Sequence, residues 1–433
     1  MCKLTKMLKL SMFNWHSSFL LIALMLTGTG SVDAQLTLQE CQKLAHDHYP
    51  MIARTELISS TADYTVDNLS KGFLPQVSLN AQATYQNDAT KINLDMGSLQ
   101  INKGMNKGQY RAMVEVAQKV YDGGLIGNQK KLAEAQSKSQ QQALEVNLYA
   151  LNDRINQLFF GSLLLREQLE QNRIMTEDLE RTSKQVASMN RFGVANESDQ
   201  DAVGVELLKY KQNRCELESA QTAYLEMLSQ FIGQKVNSAD ELVKPEQTLA
   251  ASGENNRMEL DLYRLQAKEL DSQLALIKAK NRPMLGLFVD GGFGNPGYNM
   301  FKTGLQSMWM GGVRLSWNFG NLYTKRNEEK LIDVSKRNLE VEESTFRFNN
   351  QLQVVQEDQE ITKLGKLTSD DDEIVRLRES IGKAMEAKMA NGTATVNDYL
   401  TELAKLDVAR RNRASHDLQL LQAQYNRKYI TNN

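Results

Sequence analysis

The stretch ANGTATVNDYL, residues 390–400, interrupts a long region of the chain whose residues favour helix. Asn391 and Gly392 suit the end of a helix, because the residue just beyond a helix C-terminus often takes a left-handed backbone conformation. Thr395 or Asn397 can cap the N-terminus of a following helix. The stretch therefore predicts a tight reversal between two long antiparallel helices.

Similar stretches recur in the same order in the two halves of the chain. The pairs are FLPQVSL (73–79) with RPMLGL (282–287), NQKKLAEA (128–135) with NEEKLIDV (327–334), and FGVANESDQD (192–201) with MANGTATVND (389–398). Three ordered matches at a spacing of about 200 residues indicate a duplicated unit of that length. A solenoid would need three or more shorter repeats, and we find none in the sequence.

Each half also contains two segments with the pattern of β-strands. Pro75 or Pro283 ends a helix, and an alternating segment follows. In QVSLNAQATY (76–85) every second residue is apolar, which is typical of a strand with two different faces. YRAMVEVAQKVY (110–121) follows it, and MLGLFVDGGFG and WMGGVRLSWNF take the same places in the second half. We therefore predict four strands of about ten residues, with aromatic residues near their ends: Tyr85, Tyr110, Tyr121, Trp309 and Trp317.

A very long helix follows each strand pair. Leucine and isoleucine recur at heptad spacing between Leu144 and Leu169, which indicates a coiled-coil seam. We predict one helix from Leu125 to Met189, on the order of 100 Å long, and its counterpart from Lys325 to Met389. Within the second helix, TSDDDE (368–373) is either an N-cap with a break or a solvated helix face.

Composition bounds the class of protein. The chain has 433 residues, 41% of them hydrophobic, with a net charge of −2 and a mean hydropathy of −0.48. These values give no electrostatic basis for nucleic-acid binding and exclude a polytopic helical membrane protein. Cys41 and Cys215 lie on separate predicted helices, so they offer no disulfide framework.

The N-terminus has the features of a secretory signal. A basic segment precedes the apolar run FLLIALML (19–26), and Val32-Asp33-Ala34 suits cleavage before Gln35. Residues 1–34 are therefore predicted to be a signal peptide. The alternative is an N-terminal anchor helix.

Four alternating strands with aromatic flanks are typical of a transmembrane β-barrel, and a small soluble sheet packed on helices is the alternative. In lipid every strand edge must be paired, so a barrel has to close. One chain offers four strands, whereas three copies supply twelve. We therefore predict an α+β, mostly α fold in which three chains share a 12-stranded barrel and their long helices project from it as an α-helical barrel.

The chain resembles the TolC-like outer membrane efflux proteins, also called outer membrane factors. The resemblance rests on LTLQECQKLAHDHYP (36–50), FLPQVSL (73–79), VAQKVYDGG (116–124) and the two turn motifs, and it covers essentially the whole chain after the signal. It implies a homotrimer with an outer-membrane barrel and a periplasmic helical barrel. It also implies a passive exit duct of a tripartite efflux system, which docks a periplasmic adaptor and an inner-membrane transporter.

This interpretation divides the chain into membrane and periplasmic parts. Residues 73–122 and 283–320 are assigned to the outer-membrane strands and loops. The periplasmic helical barrel takes residues 35–72, 123–282 and 321–433, with one repeat over about 35–233, a linker or small side element over 234–256, and a second repeat over about 257–433.

The resemblance also assigns site residues. Asp398 takes the position of the family's constriction acid, and a ring of carboxylates favours cations. Asp201 is taken as its match in the first half, where the resemblance implies a contact that holds the tip closed. The turns Val194-Ala195-Asn196 and Asn391-Gly392-Thr393 take the position of the adaptor-docking surface.

The sequence differs from the family pattern at two of the positions used in this assignment. Ala195 takes the place where the family usually has Gly in the first turn, and Thr401 takes the place of its second constriction acid. The alternative role for Asp398 and Asp201 is that of solvated acids near a helix start, which the helix dipole favours.

The sequence predicts no catalytic residues, no metal site and no cofactor. His46 and His48 do not share a helix face and are interpreted as surface residues. The 18 methionines are scattered along the sequence and are interpreted as core filling. Two other functions fit the sequence: the exit duct of a type I protein-secretion system, and a soluble periplasmic coiled-coil scaffold.

Overall fold

A computed structural model describes residues 35–95, 100–247, 255–300, 302 and 304–432. The predicted signal peptide lies outside these residues. The helices are α1 Leu38–His48, α2 Arg54–Ser70, α3 Leu125–Tyr149, α4 Leu151–Arg191, α5 Glu197–Ile232, α6 Met258–Lys280, α7 Asn321–Ala390 and α8 Val396–Thr431. The strands are β1 Gln76–Tyr85, β2 Lys91–Asp95, β3 Gln100–Gly104, β4 Gly108–Tyr121, β5 Met284–Asn295 and β6 Gln306–Ser316. The prediction of a mostly helical α+β fold is confirmed.

Two long antiparallel hairpins, α4–α5 and α7–α8, form the helical body, and α4 also packs against α8. The 70-residue helix α7 spans about 105 Å at 1.5 Å per residue. TSDDDE (368–373) lies inside this helix, so the alternative of a break there is wrong. Helices α2 and α6 pack against α3 beside these hairpins.

Two helical regions are interrupted: the one before β1, and the one predicted as a single helix from Leu125 to Met189. Pro50 divides the first, because proline lacks an N–H group and holds the preceding Tyr49 in an extended conformation. A one-residue turn at Ala150 separates α3 from α4, although its backbone stays in the helical region (φ −62°, ψ −19°). Leu148 and Leu151, on either side of this turn, belong to one buried cluster with partly buried Ile52, which lies in the 3-10 turn Pro50–Ala53 between α1 and α2.

The main core joins the N-terminal segment, the first hairpin and α8. Phe159 and Leu163 of α4 are fully buried there, together with Cys41 of α1 and Leu228 of α5. Part of the predicted linker belongs to this core: Val236, Ala239 and Leu242 are buried in it. Leu36 pairs with Leu242 as a parallel bridge, in which the Leu36 N–H donates to the Glu241 carbonyl at 2.7 Å. Residues 234–247 of the predicted linker are therefore a side element docked on the body.

The sheet joins the two halves of the chain. Its order is β1-β4-β5-β6, all neighbours are antiparallel, and the central pair β4–β5 brings together strands from different repeats. The described residues pair nothing with the outer edges of β1 and β6. A separate hairpin, β2–β3, lies between β1 and β4, where the sequence analysis predicted no strand.

Candidate functional site: a two-faced sheet and two helix turns

Cross-strand register sorts the side chains of the sheet by polarity. Directly opposite residues point to the same face of a sheet, and Leu79, Val114, Gly291 and Trp309 form one such row. The rest of this face continues the pattern with Val77, Ala81, Ala83, Tyr85, Tyr110, Ala112, Val116, Leu285, Leu287, Val289, Phe293, Gly311, Val313 and Leu315. The polar exceptions, Ser307, Gln118 and Asn295, lie near strand ends. One face is therefore a continuous apolar surface, and it is exposed in the single chain.

The opposite face is mainly polar. Gln76, Ser78, Asn80, Gln82 and Thr84 of β1 all point to it. Glu115 of β4 pairs with Arg314 of β6 at 2.9 Å, across β5. The Arg314 guanidinium also lies over the Phe288 ring, 4.5 Å from its centroid. This separation of apolar and polar faces is the pattern of a strand set with lipid on one side and water on the other.

The predicted interface aromatics lie on or next to the apolar face. Tyr85 ends β1, Tyr121 ends β4 at the side where α3 begins, and Trp317 follows β6. The Trp317 indole N–H donates to the Asn281 carbonyl at 3.1 Å. Trp309 lies farther inside the register than the sequence suggested, opposite Gly291.

The two helix turns have the same backbone geometry. Gly193 (φ +75°) and Gly392 (φ +72°) occupy the left-handed region just beyond α4 and α7. The Gly193 N–H donates to the Asn190 carbonyl at 3.0 Å, and the next N–H, of Val194, reaches back to the Met189 carbonyl at 2.9 Å. The second turn repeats both bonds, from Gly392 to Met389 and from Thr393 to Lys388, each at 2.9 Å. Both turns are Schellman motifs.

This geometry corrects one sequence interpretation. Ala195 was taken as a replacement for the turn glycine in the first half. Gly193 supplies that glycine instead, two residues earlier, and Ala195 is a half-buried residue packed on the hydrophobic cluster beneath the turn. Asn196 is the N-cap of α5, as Thr395 is of α8. The two turns are therefore more alike than the sequence alignment suggested.

The returning helices begin with matching capping boxes. Thr395 Oγ1 accepts from the Asp398 N–H at 3.1 Å, while Asp398 Oδ2 accepts from the Thr395 N–H at 3.0 Å and from the Thr395 hydroxyl at 2.7 Å. These bonds lower the pKa of Asp398, with the hydroxyl bond the larger cause, so the exposed carboxylate is charged at neutral pH.

The structural match of Asp398 is Asp199, not Asp201. Asp199 Oδ2 accepts from the Asn196 N–H at 3.0 Å, and the Asp199 N–H donates to Asn196 Oδ1 at 2.9 Å. Counted from the turn glycine, Asp199 and Asp398 hold the same position. Asp201 lies two residues farther along α5, is exposed, and has no hydrogen-bond or ion-pair partner among the described residues. The pairing of Asp201 with Asp398 was wrong because the sequence alignment was out of register by two residues.

The two turns lie side by side at one end of the body. A side-chain carbon built on Gly392 would lie 3.8 Å from Val194 Cγ1. Beneath the turns, Val186, Val203 and Met389 are fully buried in a cluster that spans both hairpins. At the surface Phe192 is 82% exposed, so the first turn presents an apolar side chain to its surroundings.

A polar seam between the hairpins was not apparent from the sequence. The Tyr210 hydroxyl of α5 donates to Asp407 Oδ2 of α8 at 2.6 Å, and Arg411 pairs with the same oxygen at 2.8 Å. Within the second hairpin, Arg378 of α7 pairs with Glu402 of α8 at 3.1 Å. Tyr210 and Asp407 are far apart in sequence, and neither helix alone indicates which faces meet.

Among the described helices, none is long and apolar enough to cross a membrane. Within the same residues, no group of three or more His, Cys, Asp or Glu side chains is arranged to hold a metal ion.

Comparison with known proteins identifies the fold. No family model and no curated protein matches the chain. Among solved structures, a membrane protein from Pseudomonas aeruginosa superposes with a TM-score of 0.68 at 12% identity, covering 91% of this chain and 90% of that one. The outer membrane protein VceC from Vibrio cholerae gives 0.63 at 13% identity, covering 89% and 95%. The open-state MtrE outer membrane channel of Neisseria gonorrhoeae gives 0.64 at 12% identity, covering 91% and 88%.

These likenesses extend over about nine-tenths of the chain and of each of these structures. The chain therefore has the fold of TolC-like outer membrane efflux channels, as its sequence resemblance implied.

Proposed function

We propose that this protein is an outer-membrane channel and acts as the passive exit duct of a tripartite efflux system. The observation that carries the proposal is the sheet with one apolar and one polar face, which is joined to the helix α7, about 105 Å long. Solved structures with this fold include the outer-membrane channel OprN and the CmeC outer membrane channel. They are channels, and the proposal assigns this chain transport and no catalysis.

A homotrimer follows from the unpaired edges of the sheet. A sheet in lipid must close on itself, and among the described residues the four-stranded sheet of one chain leaves the outer edges of β1 and β6 unpaired. Three chains joined edge to edge make a twelve-stranded barrel with the apolar face toward lipid. Tyr85 and Tyr110 then mark one membrane interface and Tyr121 and Trp317 the other, while Trp309 lies between them in the row of Leu79.

The outer surface of α7 supports the same assembly. Val334, Val341, Phe348 and Val355 recur every seven residues, and each is about half exposed or more in the single chain. A heptad stripe of this kind packs against another helix. In a trimer the neighbouring chain supplies that helix, and the helices form a barrel that extends into the periplasm.

In this assembly the two turns lie at the periplasmic end, away from the sheet. Asp398 occurs three times around the tip, and a ring of charged carboxylates selects cations. Asp201 is a second candidate for the ring, because its carboxylate is exposed and has no partner among the described residues.

The turns Val194-Ala195-Asn196 and Asn391-Gly392-Thr393, with exposed Phe192 beside them, form the docking surface for a periplasmic adaptor. The adaptor joins the duct to an inner-membrane transporter.

Cell fractionation followed by planar-bilayer recording tests the channel function. We expect the protein to stay with outer membranes after salt washing, to require detergent for extraction, and to form cation-preferring pores. A protein released by salt, with no conductance after reconstitution, would be a periplasmic scaffold and would contradict the proposal.

Asp398→Asn tests the constriction separately. Asparagine retains an oxygen that can accept from the Thr395 N–H, so the substitution removes the charge while preserving most of the cap. We expect a lower ratio of cation to anion permeability. Asp63→Asn, at an exposed position on α2, is the matched control and should leave the ratio unchanged. An unchanged ratio in Asp398→Asn would remove Asp398 from the constriction and leave the channel proposal intact.

A further inference from the structure

Basic residues are concentrated where the helices meet the sheet. Three segments lie there: residues 123–131 at the start of α3, 278–283 at the end of α6, and 320–330 at the start of α7. They contain eight lysines and arginines but only two acids, Glu328 and Glu329, although the whole chain has a net charge of −2. The basic residues are Lys130, Lys131, Lys278, Lys280, Arg282, Lys325, Arg326 and Lys330.

Contacts between the backbone and side chains hold these three segments together. The Arg282 guanidinium donates to the Gly123 carbonyl at 3.4 Å, which joins the end of α6 to the start of α3. The Asn321 side-chain amide donates to the Lys280 carbonyl at 3.3 Å, which joins the same end of α6 to the start of α7. The three segments therefore form one surface beside the sheet, which we call the basic surface.

The charges of the basic surface are not neutralised within the chain. None of its eight lysines and arginines forms an ion pair with any described residue. Six of them are exposed: Lys131, Lys278, Lys280, Arg282, Arg326 and Lys330. Farther from the sheet, exposed arginines commonly have partners, as Arg173 has in Glu170 and Glu177.

Helix preferences do not account for this distribution of charge. The helix dipole favours cations at a C-terminus, as at Lys280, but it favours acids at a start, where Lys131 of α3 and Arg326 of α7 lie. The first turns of α3 and α7 contain no acid. Each of the other six described helices has one there. α3 and α7 are also the two described helices that begin directly after strands of the four-stranded sheet.

Exposed aromatic residues border the basic surface on the side of the sheet. Tyr121 ends β4, and the Trp317 ring, just beyond β6, lies 4.6 Å from the Phe319 ring. Tyr323, in the first turn of α7, is 87% exposed. Aromatic rings followed by lysine and arginine are typical of a membrane interface, where the rings lie at headgroup level and the cations reach the lipid phosphates.

We propose that the basic surface binds the headgroups of anionic phospholipids, such as phosphatidylglycerol, in the leaflet that faces the periplasm. The inference rests on the proposed function, because it requires the sheet to lie in the outer membrane. Lysine binds phosphate as a point charge, and arginine can bind two of its oxygens at once. Each cation near an anionic membrane surface raises the affinity roughly fivefold.

Native mass spectrometry of the protein released from lipid nanodiscs tests the proposal. The discs contain equal amounts of phosphatidylglycerol and phosphatidylcholine, and we expect the parent to retain phosphatidylglycerol preferentially. Lys131→Gln/Lys280→Gln/Arg326→Gln removes one exposed cation from each of the three segments. We expect this variant to lose at least about tenfold of the preference.

The matched control carries the same change of charge at the other end of the body. Lys184→Gln/Lys211→Gln/Lys383→Gln replaces three exposed lysines on the parts of α4, α5 and α7 nearest the turns. This variant should retain phosphatidylglycerol as the parent does. A further measurement needs no substitution: a higher salt concentration should weaken the preference of the parent, because salt screens exposed charges.

The outcomes separate this inference from the proposed function. A parent that enters the discs but retains the two lipids equally would overturn the inference and leave the channel proposal intact. An undiminished preference in the Lys131, Lys280 and Arg326 variant would do the same, as would full displacement of the lipid by inorganic phosphate, which would indicate a site for the free ion. A protein that does not enter discs of either lipid would overturn both.

Discussion

The Tyr210 hydroxyl on α5 donates a 2.6 Å hydrogen bond to the buried carboxylate of Asp407 on α8. The two residues belong to different repeats, so this bond ties the first helical hairpin to the second. Burial, and then the hydrogen bond to Asp407, raise the pKa of Tyr210, which keeps its proton in place as a donor at neutral pH. Arg411 pairs with the same carboxylate oxygen at 2.8 Å.

Tyr210→Phe should weaken the junction of the hairpins. The substitution removes one hydrogen bond to a charged group, and Arg411 still pairs with Asp407, so we expect a loss of about 1–2 kcal/mol in the free energy of unfolding. Chemical denaturation of the detergent-solubilised protein measures it. Tyr224→Phe is the matched control, because the Tyr224 hydroxyl on the same helix has no partner among the described residues. Equal losses in both variants would show that the bond adds no stability.

Substitutions at the start of α5 test the match between the two turns. Asp199→Ala removes one side of a capping box and an acid from the first helical turn, so we expect the free energy of unfolding to fall by roughly 0.5–1 kcal/mol. Asp201→Ala removes an acid without a partner in the described structure and should change stability little. Thermal unfolding of Asp199→Ala and Asp201→Ala, measured in parallel with the parent, gives the stability lost in each variant. A larger loss of stability in Asp201→Ala than in Asp199→Ala would support the match of Asp201 to Asp398 that the sequence suggested.

The two faces of β1 should respond oppositely to charge. Leu79→Arg places a guanidinium on the apolar face near the middle of the strand, where lipid contact makes an arginine cost about 2–4 kcal/mol. Asn80→Arg places the same group on the polar face, where water can solvate it. The yield of folded protein in the outer membrane, with unfolding in detergent, should fall for Leu79→Arg and stay near the parent level for Asn80→Arg. The reverse order would mean that the apolar face does not contact lipid.

Alkaline pH should destabilise the fold partly through Cys41. Burial raises the pKa of this thiol from 9.0 to about 12. The unfolded chain therefore loses the proton first, and the stabilisation that is complete below about pH 9 is lost as the pH rises toward 12. Between pH 8.5 and 10, Cys41→Ala should lose stability less steeply than the parent. Cys215→Ala, at an exposed thiol, should follow the parent curve; identical curves for all three would contradict the argument.

Much of the fold could be predicted because its local signals are strong. The alternating pattern of QVSLNAQATY predicted the observed bounds of β1. Residue preferences alone predicted the glycine turn at Gly392 and left Thr395 and Asn397 as candidates for the cap, of which Thr395 is the observed one. The first turn was harder, because Gly193 precedes the segment VANES and the alignment matched Ala195 to the wrong position. A count from glycine to cap to acid finds the correct register: three residues from Gly193 to Asn196, and three more to Asp199.

What the sequence could not provide depends on contacts between distant residues. Val236 and Leu242 lie in a polar segment, so nothing local indicates that they are buried against the helical body. The methionines of the sheet appear scattered because Met113 and Met308 are neighbours only through Gly292, on a strand that belongs to the other half of the chain. Strand order and register determine which residues are neighbours across a sheet, and the local sequence pattern predicts neither of them here.

Mass measurement of the protein embedded in lipid nanodiscs tests the shared barrel most directly. One chain has a mass of 49.0 kDa before any processing, and the free edges of β1 and β6 predict particles that hold three chains. Detergent-resistant particles with three copies would support the account. A membrane-embedded single chain with a complete barrel of its own, or a chain that never enters the lipid, would contradict it.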